Sequence, residues 1–387
     1  MLNFDFHIPT RVYFGKGRIS CLEDELRGGS GRILIVSGTG SVKKNGIYDA
    51  VLGQVRAAGS TFIELTGILP NPRLESVYRG IEISRREGVN LVLGVGGGSV
   101  IDAAKAIAAG VVYKGDVWDL YEGKAEAEGA VRLGTVLTLA ATGSEMNSNS
   151  VITNVSAARK LALSSPFIYP SFSIMDPEYT YTVPPYHTAA GVADIMAHIF
   201  EHYFVPIPAA DVQERISEGL LKVCVKYGPV ACSDPRDYDA RANLLWASTL
   251  ALNGTSGKGK TADFTCHMIE HEISAINDMS HGAGLAILLA AFMKVSAGKY
   301  GPERLANYGR SVFGISTADD TKASLEAADM TRKFFSSIGL PARLEECGIM
   351  PSMFGDIADK AVLARGKNPL YPQLTREDIM SILEMSA

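Results

Sequence analysis

The chain has 387 residues, 47% of them apolar and 20% charged, and a formal net charge of −5. That length exceeds one ordinary hydrophobic core, so two domains are expected. The acidic balance argues against a nucleic-acid binder, which normally carries a basic face, and no apolar run reaches the roughly 20 residues that cross a bilayer.

Residues 1–7 lack the basic segment and apolar core of a signal peptide. The five cysteines (Cys21, Cys224, Cys232, Cys266, Cys347) form no CxxC pair and read as reduced thiols of a cytoplasmic protein. In chain order, the patterning predicts a strand over 32–37, a helix over 46–58, a strand over 61–65, a helix over 74–87, a strand over 90–94, a helix over 101–110 and a strand over 133–139. Such alternation implies parallel strands with crossover helices. Val183-Pro184-Pro185 is a break signal. Beyond it the periodicity is helical, over 188–203, 211–227, 240–254 and 325–338. The expected organisation is an α/β domain over 1–182 and an all-α domain over 183–387.

Leu91 to Ser99 runs from a strand through Gly94, Gly96, Gly97 and Gly98 into a helix. Glycines allow close backbone approach, and a helix N-terminus offers unpaired amides and a positive dipole end, which suits a diphosphate. Asp102, in the first turn, could cap that helix or hold a ligand hydroxyl. In dinucleotide sites an acidic residue commonly grips the ribose 2′-hydroxyl and marks NAD. The first strand is followed instead by Ser37-Gly38-Thr39-Gly40-Ser41-Val42-Lys43-Lys44. Hydroxyls, glycine amides and two lysines suit a 2′-phosphate, so NADP(H) is the expected coenzyme.

The seven histidines are His7, His187, His198, His202, His267, His271 and His281. Asp194 and His198 share a helix face, as do His267 and His271, and His281 follows just before Gly282. Imidazoles with one carboxylate are the ligands of zinc or ferrous iron. Spacing alone leaves open whether Asp194/His198 or His198/His202 supplies the first pair. It also leaves a rival, because His267-Met268-Ile269-Glu270-His271 fits the inverted zinc-peptidase pattern H-x-x-E-H.

Several segments together resemble one family over the whole chain. They are Phe14-Gly15-Lys16-Gly17, Gly38 to Lys44, Pro70-Asn71-Pro72, Gly96 to Asp102, Thr138 to Glu145, Asp176-Pro177, Gly191 to Asp194, His198, and His267 through Gly282. The chain resembles the iron-containing (group III) alcohol dehydrogenases, and within them the NADP-dependent butanol dehydrogenases and aldehyde reductases. The resemblance implies a dehydroquinate-synthase-like fold with a coenzyme cleft between an α/β and a helical domain. It implies Asp194, His198, His267 and His281 as ligands of one divalent metal, Fe(II) or Zn(II), with His271 free near the substrate as a candidate proton relay. It places Gly97, Gly98, Ser99 and Asp102 around the diphosphate and nicotinamide ribose, and Gly38, Gly40, Ser41 and Lys43 at the adenosine phosphate. Asn71, Thr138, Thr142, Ser144, Asn147, Lys160 and Tyr179 would line the rest. His202, absent from several relatives, is expected to be a non-ligand.

The implied activity is hydride transfer between NADP(H) and a small primary alcohol or aldehyde, in the direction of aldehyde reduction, by a cytoplasmic homodimer without nucleic-acid or membrane partners. An NAD-linked polyol dehydrogenase, a dehydroquinate-synthase-like lyase and a zinc peptidase are the alternatives.

Overall fold

The computed structural model describes residues 1–27, 31–365 and 367–387. The chain divides into two compact units, His7–Val183 and Met1–Phe6 with Pro184–Ala387. The first six residues thus group with the helical unit, not with the α/β domain expected over 1–182. The reason is local: the N-terminal ammonium donates to the Pro208 carbonyl at 2.6 Å. Leu2 N–H donates to the Gly259 carbonyl, and Met1 and Phe4 pack at Gly259.

Among its described residues the α/β unit contains eight strands: β1 (Arg11–Phe14), β2 (Arg32–Gly38), β3 (Thr61–Ile68), β4 (Leu91–Gly96), β5 (Arg132–Leu137), β6 (Asn149–Asn154), β7 (Arg159–Ser164) and β8 (Phe172–Met175). Six form one sheet in the order β1-β8-β5-β4-β2-β3, every pair parallel. Side chains alternate across it. Leu34, Val36 and Val92 join the core beneath helices Leu74–Glu87 and Gly98–Val112. Ile33, Ile35, Leu91 and Leu93 join the opposite core with helix Ile47–Ala57. Both faces are covered, which is why these strands read as continuous apolar runs. β6 and β7 form a separate antiparallel hairpin. Patterning missed it because its strands carry Asn, Ser, Arg and Lys as well as apolar residues.

In the order of the large sheet, β2 leads outward to β3 on one side while β4 leads to β5 on the other. The topological switch point therefore lies between β2 and β4, where doubly wound sheets bind ligands at the carboxyl ends of their strands. Gly38–Gly40 and Gly96–Gly98 lie at the carboxyl ends of those two strands.

Every regular element among the described residues of the second unit is a helix. Its longer helices are Pro185–Tyr203, Asp211–Ser233, Tyr238–Leu252, Thr265–Asn277, His281–Tyr300, Asp320–Ser337, Phe354–Arg365 and Arg376–Met385. The second runs through Pro229 to Ser233 and does not stop at 227 as expected. Tertiary packing overrides the proline: a Cβ at Gly228 would lie 3.2 Å from Val192, and Arg241 Nη2 donates to the Ala231 carbonyl near the helix end. Helix His281–Tyr300 has the length and composition of a membrane span, but 72% of that window is buried within the protein. It is the core helix of this unit.

Candidate metal centre and coenzyme loops

Helix Pro185–Tyr203 is buried along most of its length and carries Asp194 and His198 one turn apart. Helix Thr265–Asn277 carries His267, Glu270 and His271, and His281 opens the core helix. Two of these helices touch backbone to backbone. A Cβ at Gly282 would sit 1.9 Å from the Ala190 carbonyl oxygen, so only glycine lets the start of the core helix approach closely enough to bring His281 to Asp194.

The Nε2 atoms of His198, His267 and His281 all lie 3.7 Å from Asp194 Oδ1. The His198 and His267 rings stack at 4.6 Å. Asp194, His198 and His267 are at most 5% exposed, whereas the His281 side chain is 24% exposed, so solvent meets the cluster chiefly at His281. Among the described residues, Asp194 Oδ1 and His267 Nε2 have no hydrogen-bond partner. Buried polar atoms without partners are costly unless another group completes them. Ligand bonds of about 2.0–2.2 Å put neighbouring donors roughly 3–4 Å apart, so the spacing and the N/O donor set fit one small divalent cation.

Two buried carboxylates brace this cluster. Glu201, fully buried, accepts from His267 Nδ1 and, at 3.0 Å, from the His267 backbone N–H. Glu270, also fully buried, accepts from His281 Nδ1 and from the Ser274 hydroxyl. A carboxylate on Nδ1 holds the proton there and leaves the Nε2 lone pair pointing inward. Burial works against charge on His267, but Glu201 and Asp194 outweigh it and carry the imidazole up to about 10. His198 moves down to about 3, because burial dominates there over the attraction of Asp194. Burial also opposes charge on Asp194, yet the facing imidazoles, His198 first, hold its carboxyl well below the usual range. A compact anionic pocket of this kind calls for a cation.

His271 lies beside the quartet, its ring centroid 6.3 Å from His267 and 5.4 Å from His281. His202, one turn beyond His198, meets Phe264 edge-on at 5.6 Å, and burial lowers its imidazole to about 4. His7 and His187 are exposed. Of the two pairings left open by spacing, Asp194/His198 faces the cluster. Glu270, the general base of the peptidase pattern, is instead committed to His281 and Ser274. Sequence reading missed Glu201; its signal was a position three residues after His198, on the same inward face.

In the α/β unit, Gly40 has φ +124°, a conformation that favours glycine, just before the short helix Ser41–Lys44. No side chain caps the start of helix Gly98–Val112, which leaves its first amides directed at the switch point. The glycines there also answer to the protein's own packing. A Cβ at Gly98 would come 2.5 Å from Thr142 Oγ1, and one at Gly97 3.1 Å from Leu139. Asp102 is buried and pins neighbouring loops, accepting from Ser144 Oγ at 2.6 Å and from Val151 N–H at 3.0 Å. Buried Lys105 donates to both the carbonyl and the side-chain oxygen of Asn147 and to the Asn149 carbonyl. Lys160 donates to Asn71 Oδ1 at 3.0 Å. Thr138 and Thr142 are half-buried on the segment after β5, and half-buried Tyr179 follows β8. Lys43, expected to be free for a phosphate, forms a 2.6 Å ion pair with Glu64 on β3.

Residues 9–177 match the iron-containing alcohol dehydrogenase family, and residues 188–387 match the C-terminal part of the Fe-containing alcohol dehydrogenase family. The chain is 44% identical to NADH-dependent butanol dehydrogenase A of Clostridium acetobutylicum, covering all of both chains. It is 37% identical to the NADPH-dependent aldehyde reductase of Escherichia coli, over 95% of this chain and 96% of that one. Among solved structures, NADH-dependent butanol dehydrogenase A of Thermotoga maritima superposes with a TM-score of 0.95 at 38% identity, over 100% of this chain and 99% of that one. The two matches together cover residues 9–177 and 188–387, nearly the whole chain: this chain belongs to the iron-containing alcohol dehydrogenases.

Proposed function

We propose that the protein is a metal-dependent alcohol dehydrogenase that works mainly as a reductase of small primary aldehydes, using a nicotinamide coenzyme. The observation that carries this reading is the convergence of three imidazole Nε2 atoms on Asp194 Oδ1 at 3.7 Å, with His281 the most exposed of the four. Asp194, His198, His267 and His281 would hold one divalent metal, iron or zinc. When bound, such a metal polarises the carbonyl oxygen as a Lewis acid, and the reduced nicotinamide supplies the hydride.

The rest falls to the chain's own residues. Glu201 and Glu270 orient the imidazoles of His267 and His281. His271, adjacent to the cluster and outside it, passes a proton to the product oxygen, a task imidazole side chains commonly perform. The amides of Gly97, Gly98 and Ser99 receive the diphosphate. Gly38, Gly40, Ser41 and Lys43 face the adenosine ribose. Asp102, with Ser144, Asn147, Lys160 and Asn71, shapes the intervening loops, and Thr138, Thr142 and Tyr179 complete the wall. In this assignment residues 7–183 carry the coenzyme and 184–387 the metal, in a cytoplasmic homodimer.

The coenzyme choice is finely balanced. Ser41, Lys43 and Lys44 favour NADPH, which is our assignment, while Glu64 and the names of the butanol dehydrogenase relatives weigh towards NADH. The test follows consumption of NADPH and NADH with a panel of short aldehydes, before chelation, after it, and after adding back Fe(II) or Zn(II). Loss and recovery of aldehyde-dependent turnover is expected. Full turnover by metal-free protein, or none with either coenzyme, would overturn the reading.

A further inference from the structure

Lys43 occupies the turn after β2, in the short helix Ser41–Lys44. Its ammonium is 2.6 Å from Glu64 Oε2 and 4.6 Å from the centre of the Tyr48 ring. Glu64 comes from the neighbouring strand, paired with Ile35 of β2. Its carboxyl is held below the ordinary range, by the Lys43 hydrogen bond above all, so it is anionic at neutral pH. The cation best placed for a 2′-phosphate therefore already has a counter-ion, delivered by the strand next to β2.

We propose that Glu64 is a specificity-determining residue that sets the balance between NADPH and NADH. This rests on the coenzyme placement proposed above. A 2′-phosphate carries about −1.5 to −2 charges. To reach Lys43 it must displace Glu64 from the ion pair and then remain close to that carboxylate. The uncharged 2′-hydroxyl of NADH does neither. At surface separations and high dielectric, repulsion between one carboxylate and such a phosphate corresponds to roughly fivefold to twentyfold in affinity. Both partners are well exposed, so the discrimination weakens as salt screens it.

The experiment measures dissociation constants of NADPH and NADH by quenching of protein fluorescence, at low and high salt, for wild type, Glu64→Gln, Glu64→Ala and Lys43→Met. Glu64→Gln and Glu64→Ala should each tighten NADPH by about fivefold to twentyfold and leave NADH within about twofold, with the gain shrinking at high salt. Lys43→Met should weaken NADPH selectively. If both coenzymes bind but their affinity ratio is the same in wild type and in both Glu64 variants, the role of Glu64 is overturned while the coenzyme site stands. If neither coenzyme binds the wild-type protein, the placement on which the proposal rests falls with it.

Discussion

Replacing Glu201 by glutamine tests how the metal centre is held. Each Glu201 oxygen accepts one hydrogen bond, from His267 Nδ1 and from the His267 backbone N–H. Glutamine keeps one acceptor and substitutes an NH2 donor for the other. One of the two His267 donors must then face another donor inside a site with no exposure. Leaving a buried donor unsatisfied costs about 1–3 kcal/mol. The other way out is for His267 to move its proton to Nε2, so that Nδ1 accepts from the amide, but that tautomer cannot ligate through Nε2. Either route lowers metal affinity by roughly 10–100-fold, the usual effect of losing such a brace. That equals about 1.4–2.8 kcal/mol. At roughly 2–4 °C per kcal/mol for a unit of this size, the gap in melting temperature between metal-loaded and chelated protein should narrow by several degrees. The assay is competition for Zn(II) against a chromogenic chelator, with melting curves of both forms beside it. Glu201→Asp, which keeps two acceptors, should retain part of the lost affinity. A Glu201→Gln protein that holds Zn(II) within twofold of wild type, with the melting gap unchanged, would refute the orienting role.

Further perturbations separate the remaining roles. His267→Ala should lose metal and turnover together, whereas His271→Ala should keep its metal and its coenzyme affinity while turnover falls by about 10²-fold; metal analysis beside kinetics decides, and metal lost only from the His271 variant would reverse the assignment. Gly98→Ala places a methyl 2.5 Å from Thr142 Oγ1 and should destabilise the fold by about 1–3 kcal/mol. Thr142→Ala should rescue it, and a wild-type melting temperature for the single variant would sink the packing argument. Burial lowers Lys105 from 10.5 to about 8. Because its folded pKa lies below its unfolded one, a cost of charging it is fully present below about pH 8 and is relieved as pH rises to 10.5. Wild-type stability relative to Lys105→Met should therefore increase across that window, by up to about 3 kcal/mol, and a flat difference in denaturant titrations would contradict it.

Local periodicity was enough to reveal β2 to β5 with the helices between them and four of the helices after residue 183, because a sheet covered on both faces and a helix with one buried face each impose their own repeat; β1, β6, β7, β8 and helices such as Thr265–Asn277 and His281–Tyr300 went unpredicted. The same repeat placed Asp194 and His198 on one helix face, since azimuth within a helix depends only on spacing. It could not choose between Asp194/His198 and His198/His202, or between His267 and His271, because which face meets Asp194 depends on how three helices cross. That crossing is set by the backbone contact of Gly282 with Ala190. The sequence likewise pointed to glycines at 97 and 98 as room for a ligand, while their nearest demand is the approach of Leu139 and Thr142, from a loop some forty residues away. The acid beside Lys43 went unread for the same reason. Glu64 stands on the next strand, and only the pairing of β2 with β3 brings its carboxylate across to the lysine. Glu201 and Glu270 complete the pattern: a carboxylate becomes a brace for an imidazole only where two different helices bring them within hydrogen-bonding reach, a distance that spacing along one chain does not encode.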